Sequence, residues 1–198
     1  MDASTSGTGA SADDTSPASS TSATETNDSD APPPVNLIVN ASFEDWEDPS
    51  EANNLPLGWT DCTYEPGIGL EAVPDGCPGG GESVVPSRAS DGLRYARGFW
   101  GEGVAQTVPT VPGQTYVVGF DHAASENCWG GTPFSEWEVL IDGVPLDRSP
   151  SDVGLDWTRF ETTFEASGSE ATVCIRVGHG DTAASFAASI DNAWVGAA

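Results

Sequence analysis

Lysine is absent from this chain of 198 residues, and its six basic residues, all arginine, face 31 acidic ones for a formal charge of −25. A surface this negative repels phosphate backbones and anionic headgroups, which argues against nucleic acid and membrane surfaces as partners. It suits cations, neutral ligands such as sugars, or salty surroundings. Histidine occurs only at positions 122 and 179, neither in an H-E-x-x-H pattern. No C-x-x-C pair and no G-x-S-x-G elbow occurs, so the motifs of zinc sites and serine hydrolases are missing. No run approaches the ~18 apolar residues of a membrane-spanning helix. Met1 is followed at once by "DASTSGTG", with no export signal visible. The expectation is a secreted or surface chain from which that segment has been removed.

What is present divides into two regions. Residues 1–34 are rich in Ser, Thr and acid, lack basic and aromatic residues, and end in "APPP". Such a segment cannot bury enough apolar surface to offset its chain entropy, so it is expected to be a disordered acidic linker. Spacers of this composition commonly tether a domain to a cell surface.

Residues 35–198 hold every Trp, Tyr and Cys. Short β-rich runs alternate with turn signals: "NLIVNASF", "VAQTV", "TYVVGFDHA", "WEVLID", "RFETTFEA", "ATVCIRV" and "ASIDNAWV". Tyr116, Val118 and Phe120 share one face of their run, and Val173, Ile175 and Val177 share one face of theirs. This period of two with a single apolar face is that of antiparallel sheets packed face to face. Pro-Gly precedes the Tyr116 run, and the Asp-Gly of "LIDGVPL" reads as a hairpin turn. The fold class expected is all-β, a two-sheet antiparallel sandwich of about eight or nine strands.

Cys62, Cys77, Cys128 and Cys174 make an even set in an acidic chain, which points to two disulfides in an exported protein, with free buried thiols as the alternative. Three pairings are open. The favoured one is Cys62–Cys77, bracketing one loop, with Cys128–Cys174.

Two acids stand where a sandwich should close its core. Glu44 follows Phe43 at the end of the first run, and Asp191 sits inside the last, "SIDNAWVG". First and last strands often pair, which would bring these carboxylates together. Bare, they would repel and would be costly to bury. A hard cation resolves both problems, since calcium takes six to eight oxygen ligands. Exposed strand ends are the plainer alternative.

The ordered set "NLIVNASFED", "LPLGWT", "ASDGLRYA", "VAQTVPTVPGQTYVVGFDHA", "EVLIDGVPL", "WTRFETTFEA" and "ATVCIRV…SIDNAWV" resembles the galactose-binding-like jelly rolls. The likeness is strongest to carbohydrate-binding modules of families four, nine and twenty-two and related secreted bacterial modules. It implies a jelly roll over nearly all of 36–198. It matches the family's first-strand pattern at Asn36, Leu37, Asn40, Phe43 and Glu44, and its last-strand pattern at Ile190, Asp191 and Asn192. In such modules this Glu and Asp commonly hold a structural calcium, helped here by a carbonyl around Ser42 and by the loop around Ser90, Asp91 and Gly92. Trp59 and Trp157 occupy positions of structural tryptophans.

Sugar recognition needs flat apolar surfaces and a few aimed polar atoms. Trp100 in "RGFWGEG" and Trp129 in "ENCWGGTPF" lie in Gly-flanked loop contexts and are the expected stacking platforms. Trp137 is their support, with Asp121, Glu138 and Arg176 on the non-core parity of their strands as hydroxyl partners. Trp194, alternating with Ala193 and Val195, is expected to face outward. The expected function is non-catalytic binding of a polysaccharide or glycan by a secreted or surface-tethered module. The alternative is a cell-surface structural or adhesion protein, and third comes a polysaccharide-active enzyme. The sequon at Asn40 is discounted because it falls inside an expected strand.

Overall fold

The computed structural model describes residues 34–48, 54–63, 71–73, 88–99, 101–124, 136–149, 156–177 and 187–198. Among these, ten strands form two antiparallel sheets and no helix occurs. They are β1 (Thr60–Asp61), β2 (Glu71–Val73), β3 (Tyr95–Phe99), β4 (Gly103–Pro109) and β5 (Thr115–Ala124). The others are β6 (Trp137–Ile141), β7 (Val144–Arg148), β8 (Thr158–Glu165), β9 (Glu170–Val177) and β10 (Ala187–Ala197). One sheet runs β1-β4-β9-β6-β7 and the other β2-β3-β10-β5-β8. The expected all-β sandwich is what the chain forms.

Period-two patterning built both layers. Val104 and Val108 of β4, Val139 of β6, and Val173 and Ile175 of β9 point inward from the first sheet. Tyr116, Val118 and Phe120 of β5, Phe164 of β8, and Ile190 and Val195 of β10 meet them from the second. Asp142, at φ 52°, and Gly143, at φ 78°, turn β6 into β7, as the Asp-Gly pair predicted. Trp137, expected to support a sugar platform, is instead almost wholly buried. Its ring lies 4.3 Å from Phe160 and 5.0 Å from Phe120, centroid to centroid. It opens β6 on the same inward parity as Val139, so truncation would empty the core rather than a ligand surface. His122 packs 5.2 Å from it, and burial lowers that imidazole's pKa against the opposing pull of Asp121.

The first run is not a regular strand. It lies along β10, but the Asn36 side chain stands in for part of the ladder. Asn36 Nδ2 donates to the Ala193 carbonyl at 2.9 Å and Asn36 Oδ1 accepts from the Val195 amide at 3.0 Å, while Leu37 N–H donates to the Val195 carbonyl at 2.7 Å. Gln106 does the same from β4. Its Oε1 accepts from Val39 N–H at 2.7 Å and its Nε2 donates to the Val39 carbonyl at 3.0 Å. Left-handed backbone at Asn40 and Phe43 then breaks any strand geometry.

The cysteine pairing differs from expectation. Cys62 is bonded to Cys174, across 112 residues, with Cα atoms 6.2 Å apart. Neither Cys62–Cys77 nor Cys128–Cys174 therefore forms; Cys77 and Cys128 lie outside the described residues. The reason is topological: β1 pairs β4 and β4 pairs β9, which brings the end of β1 to the outward Cys174. Chain-entropy reasoning gives about 2–5 kcal/mol for a bridge closing so long a loop. Replacing Cys62 and Cys174 together by Ser should lower the denaturant midpoint by a corresponding amount. A non-reducing peptide map should join the Cys62 and Cys174 peptides, and a Cys62–Cys77 peptide would contradict this topology.

Candidate functional site

Three of the four described non-glycine residues with positive φ gather at one place: Asn40 (51°), Phe43 (52°) and Asn192 (48°). A bulky residue in this region carries strain of about 1–3 kcal/mol and persists only where its surroundings enforce it. Phe43 is enforced from two sides. Its ring is fully buried and stacks on Trp59 at 5.0 Å, and its carbonyl accepts from Trp46 Nε1. Asn40 closes the turn: Nδ2 donates to the carbonyls of Asp45 and Leu57, and Oδ1 accepts from Asp45 N–H. Both donors of the sequon amide are thereby engaged.

That turn delivers Glu44 to the stretch Ser90–Arg94. Glu44 Oε1 accepts from Leu93 N–H at 2.6 Å and Arg94 N–H at 2.8 Å, and Arg94 Nη1 returns a bond to the Glu44 carbonyl at 3.0 Å. Asp191 reaches the same stretch from β10, where its Oδ2 accepts from Asp91 N–H at 2.9 Å. The two terminal acids thus lie together, as the pairing of first and last segments predicts, joined through one short loop. Ser42 lies in the adjoining turn, beside the Ala41 carbonyl that accepts from Ala193 N–H at 2.8 Å.

Asp191 is fully buried. Burial pushes its carboxyl up to about 7, opposed by the amides of Asp91, Asn192 and Ser90 and assisted by the Asp91 charge. Tyr95, buried nearby, is pushed up to about 12, chiefly by burial, and so remains a neutral phenol. Asp121 stands directly opposite Asp191 in the β5–β10 ladder. Like charges so placed are destabilising unless each finds partners. Asp121 Oδ2 accepts from Ser90 Oγ and from Asn192 Nδ2, and Oδ1 pairs with Arg159 Nη1 at 3.3 Å. Arg159 Nη1 also donates to the Asn192 carbonyl at 2.7 Å, beside the irregularity in β10.

Asp121 therefore belongs with the terminal acids and is not grouped with Glu138 and Arg176, as strand parity alone had suggested. Those two do meet, on the first sheet, at 2.7 Å. Arg176 Nε and Nη2 each donate to the Cys62 carbonyl at 3.1 Å. Trp59 is in the core and Trp157 is half-buried, its Nε1 donating to the Arg88 carbonyl at 2.7 Å. Trp194 is half-buried on the non-core parity of β10. Trp100 and Trp129 lie outside the described residues.

The acids Glu44, Asp191 and Asp91 are hard oxygen donors, the kind calcium takes. Amides occupy part of the first two, and among the described residues no group of three or more acids, histidines or cysteines converges as a metal cage. Sequence reasoning missed Arg159, Gln106 and Asn36 as organisers. Arg159 is recognisable only once the β5–β8 register sets it opposite Asp121.

The two-sheet sandwich is similar in fold to solved carbohydrate-binding modules. TmCBM61, solved in complex with β-1,4-galactotriose, matches at a TM-score of 0.50 and 15% identity, over 83% of this chain and 99% of that one. The family 22 xylan-binding domain of Paenibacillus barcinonensis Xyn10C matches at 0.48 and 14%, over 79% and 91%. A putative sugar-binding protein from Bacteroides thetaiotaomicron matches at 0.49 and 10%, over 83% and 100%. No protein-family model matches, and no curated protein does.

Gly92 is the tightest point of the acid-bracketed loop. Its φ is +75°, and an added Cβ would collide with the Glu44 carboxyl group. Gly113 has a similar φ of +78° but open space around it. Gly92→Ala should thus lose about 1–3 kcal/mol, and measurably more than Gly113→Ala. Equal losses in chemical denaturation would show that Glu44 does not fix the loop.

Proposed function

We propose that this chain is a non-catalytic carbohydrate-binding module, exported or tethered at the cell surface through its acidic N-terminal segment. The observation that carries the reading is its fold, a two-sheet sandwich that matches 99% of a module solved with a galactose oligomer. The composition supports it: a strongly acidic surface favours neutral ligands over phosphate-bearing ones. The Cys62–Cys174 bridge supports an oxidising compartment. Two features support a non-catalytic role. His122 is buried among core rings, and Glu44 and Asp191 are turned onto backbone amides. Trp100 and Trp129, in the sequence just after β3 and between β5 and β6, are the proposed stacking platforms. Glu138 and Arg176 are the proposed polar partners.

The proposal includes a structural calcium held by Glu44 and Asp191, with Asp91 and backbone oxygen around Ser42. Its role is to neutralise a carboxylate buried in the last strand and fix the first segment against it. The ion supplies charge compensation and no chemistry. A chelator should lower the melting temperature and added calcium restore it, with Asp191→Asn abolishing the difference. Identical melts in chelator and in calcium would remove the ion from the proposal.

Retention on insoluble polysaccharides tests the binding itself. Trp100→Ala or Trp129→Ala should abolish retention while leaving the melting temperature unchanged. Undiminished retention in both variants would overturn these platforms, and retention of the parent chain on no glycan would overturn the function.

A further inference from the structure

The outward face of the second sheet carries side chains that neither the core nor the acid-bracketed loop accounts for. Across its middle, Glu161 of β8 stands opposite Gly119 of β5, and Gly119 stands opposite Trp194 of β10. Ala193 and Val195 point into the core, so Trp194 faces outward. The irregularity in β10, with left-handed backbone at Asn192, sets that parity after Asp191. The indole is half-buried and seated on the buried Gly196. A Cβ added there would stand 3.0 Å from Trp194 Cζ2 and 3.1 Å from Nε1, so a larger residue would displace the ring. Trp194 Nε1 finds no acceptor among the described residues.

Arg159 reaches over the gap that Gly119 leaves. Its Nε donates to Glu161 Oε1 at 3.1 Å, and its Nη1 donates to Asp121 Oδ1 at 3.3 Å and to the Asn192 carbonyl at 2.7 Å. Nη2 is left over, 3.3 Å from where a Gly119 Cβ would stand. A guanidinium fixed by three bonds has little freedom left to lose on binding, so its remaining N–H groups are pre-organised. Glu161 keeps its second carboxylate oxygen, and the exposed Thr163 adds a hydroxyl on the same side of β8.

Two strand spacings, about 9.6 Å, separate the Trp194 and Glu161 backbones across this row. An apolar ring thus borders one side, aimed donors and acceptors border the other, and two glycines lie between. Arg159 is flanked by Asp121 and Glu161, so the surface offers no unpaired cation to hold an anion. An apolar body beside a few placed polar atoms suits a ligand with both C–H faces and hydroxyls. A neutral sugar ring has both.

We propose that the surface formed by Trp194, Arg159 and Glu161 is a second carbohydrate contact, taking one neutral sugar ring on the outward face of the second sheet. The inference rests on the carbohydrate reading above and uses none of the residues assigned there, since Glu138 and Arg176 lie on the opposite sheet. Contacts on opposite sheets cannot serve the same sugar ring, so one molecule can hold two glycan segments at once.

The test is a titration of the full chain with soluble β-1,4-linked oligomers of galactose, xylose or glucose, followed by nuclear magnetic resonance. The indole N–H resonance of Trp194 is identified as the one lost in Trp194→Phe. With whichever oligomer binds, it should shift saturably, in the parent chain and equally in a Trp100→Ala/Trp129→Ala double variant. Glu161→Ala should raise the midpoint of that shift about fivefold or more, the loss of one hydrogen bond. A Trp194 resonance that stays fixed, in a chain whose other indoles move or which a polysaccharide retains, would overturn the second contact and leave carbohydrate binding intact. A shift that vanishes in the double variant, or a midpoint untouched by Glu161→Ala, would overturn it too. Movement of Trp194 alone would uphold this contact and displace Trp100 and Trp129 as platforms. If no indole moves and no polysaccharide retains the chain, the carbohydrate reading falls and this inference falls with it.

Discussion

The structure turns on a carboxylate that cannot reach water. β10 is the middle strand of its sheet, flanked by β3 and β5. Ile190 fills the core side and the Ser90–Arg94 stretch covers the other, so Asp191 is enclosed from both faces. An isolated charge in such a place is costly enough that a protein either neutralises it or surrounds it with donors. Here the donors come from backbone, and supplying them fixes the loop leading into β3. Glu44 does the same from the opposite flank. The ends of the folded region are thus joined through the middle of the chain, and Asp121, Asn192 and Arg159 absorb the charge this places across the β5–β10 ladder.

The arrangement also decides what surface is left over. Polar groups bind a loop over part of one sheet, and a disulfide with a guanidinium fork binds the chain after β1 over part of the other. The Glu44 and Asp191 contacts and the Cys62–Cys174 bridge tie distant parts of the chain together, so weakening either would loosen the fold.

Much of the fold was legible because it rests on alternation. The runs that became β4, β5, β6, β8, β9 and β10 each carry one apolar parity, and the sandwich follows from packing those faces. β3 was not recognised, since Tyr95, Arg97 and Gly98 give it no apolar stripe and its outward side is buried too. The first run misled in the other direction. "NLIVNASF" looks like a strand, but Asn36 uses its side chain as a surrogate peptide group and Asn40 and Phe43 take left-handed backbone. The proximity of Glu44 and Asp191 was legible from position alone. The grouping of Asp121 with Glu138 and Arg176 was not, because parity identifies a face of a strand without saying which sheet the strand joins. Trp137 failed for a related reason: it opens the run "WEVLID" on the inward parity of Val139, and only the packed layers show that Phe120 and Phe160 enclose its ring. The cysteine pairing was out of reach for sequence, because it depends on β1 pairing with β4 and β4 with β9, which brings Cys62 to Cys174.

The bracketed loop has one more consequence, in how a protease meets this molecule. With no lysine, trypsin has only arginine to cut after. Arg97, Arg148, Arg159 and Arg176 lie within strands, whereas Arg88 and Arg94 flank the loop that Glu44 and Asp191 pin down. Cleavage needs several residues of extended, detached backbone, so the scissile bond at Arg94, whose amide donates to Glu44, becomes accessible when those carboxylates let go. Limited digestion of the folded chain therefore reports on the clamp directly, with the strand arginines marking global opening.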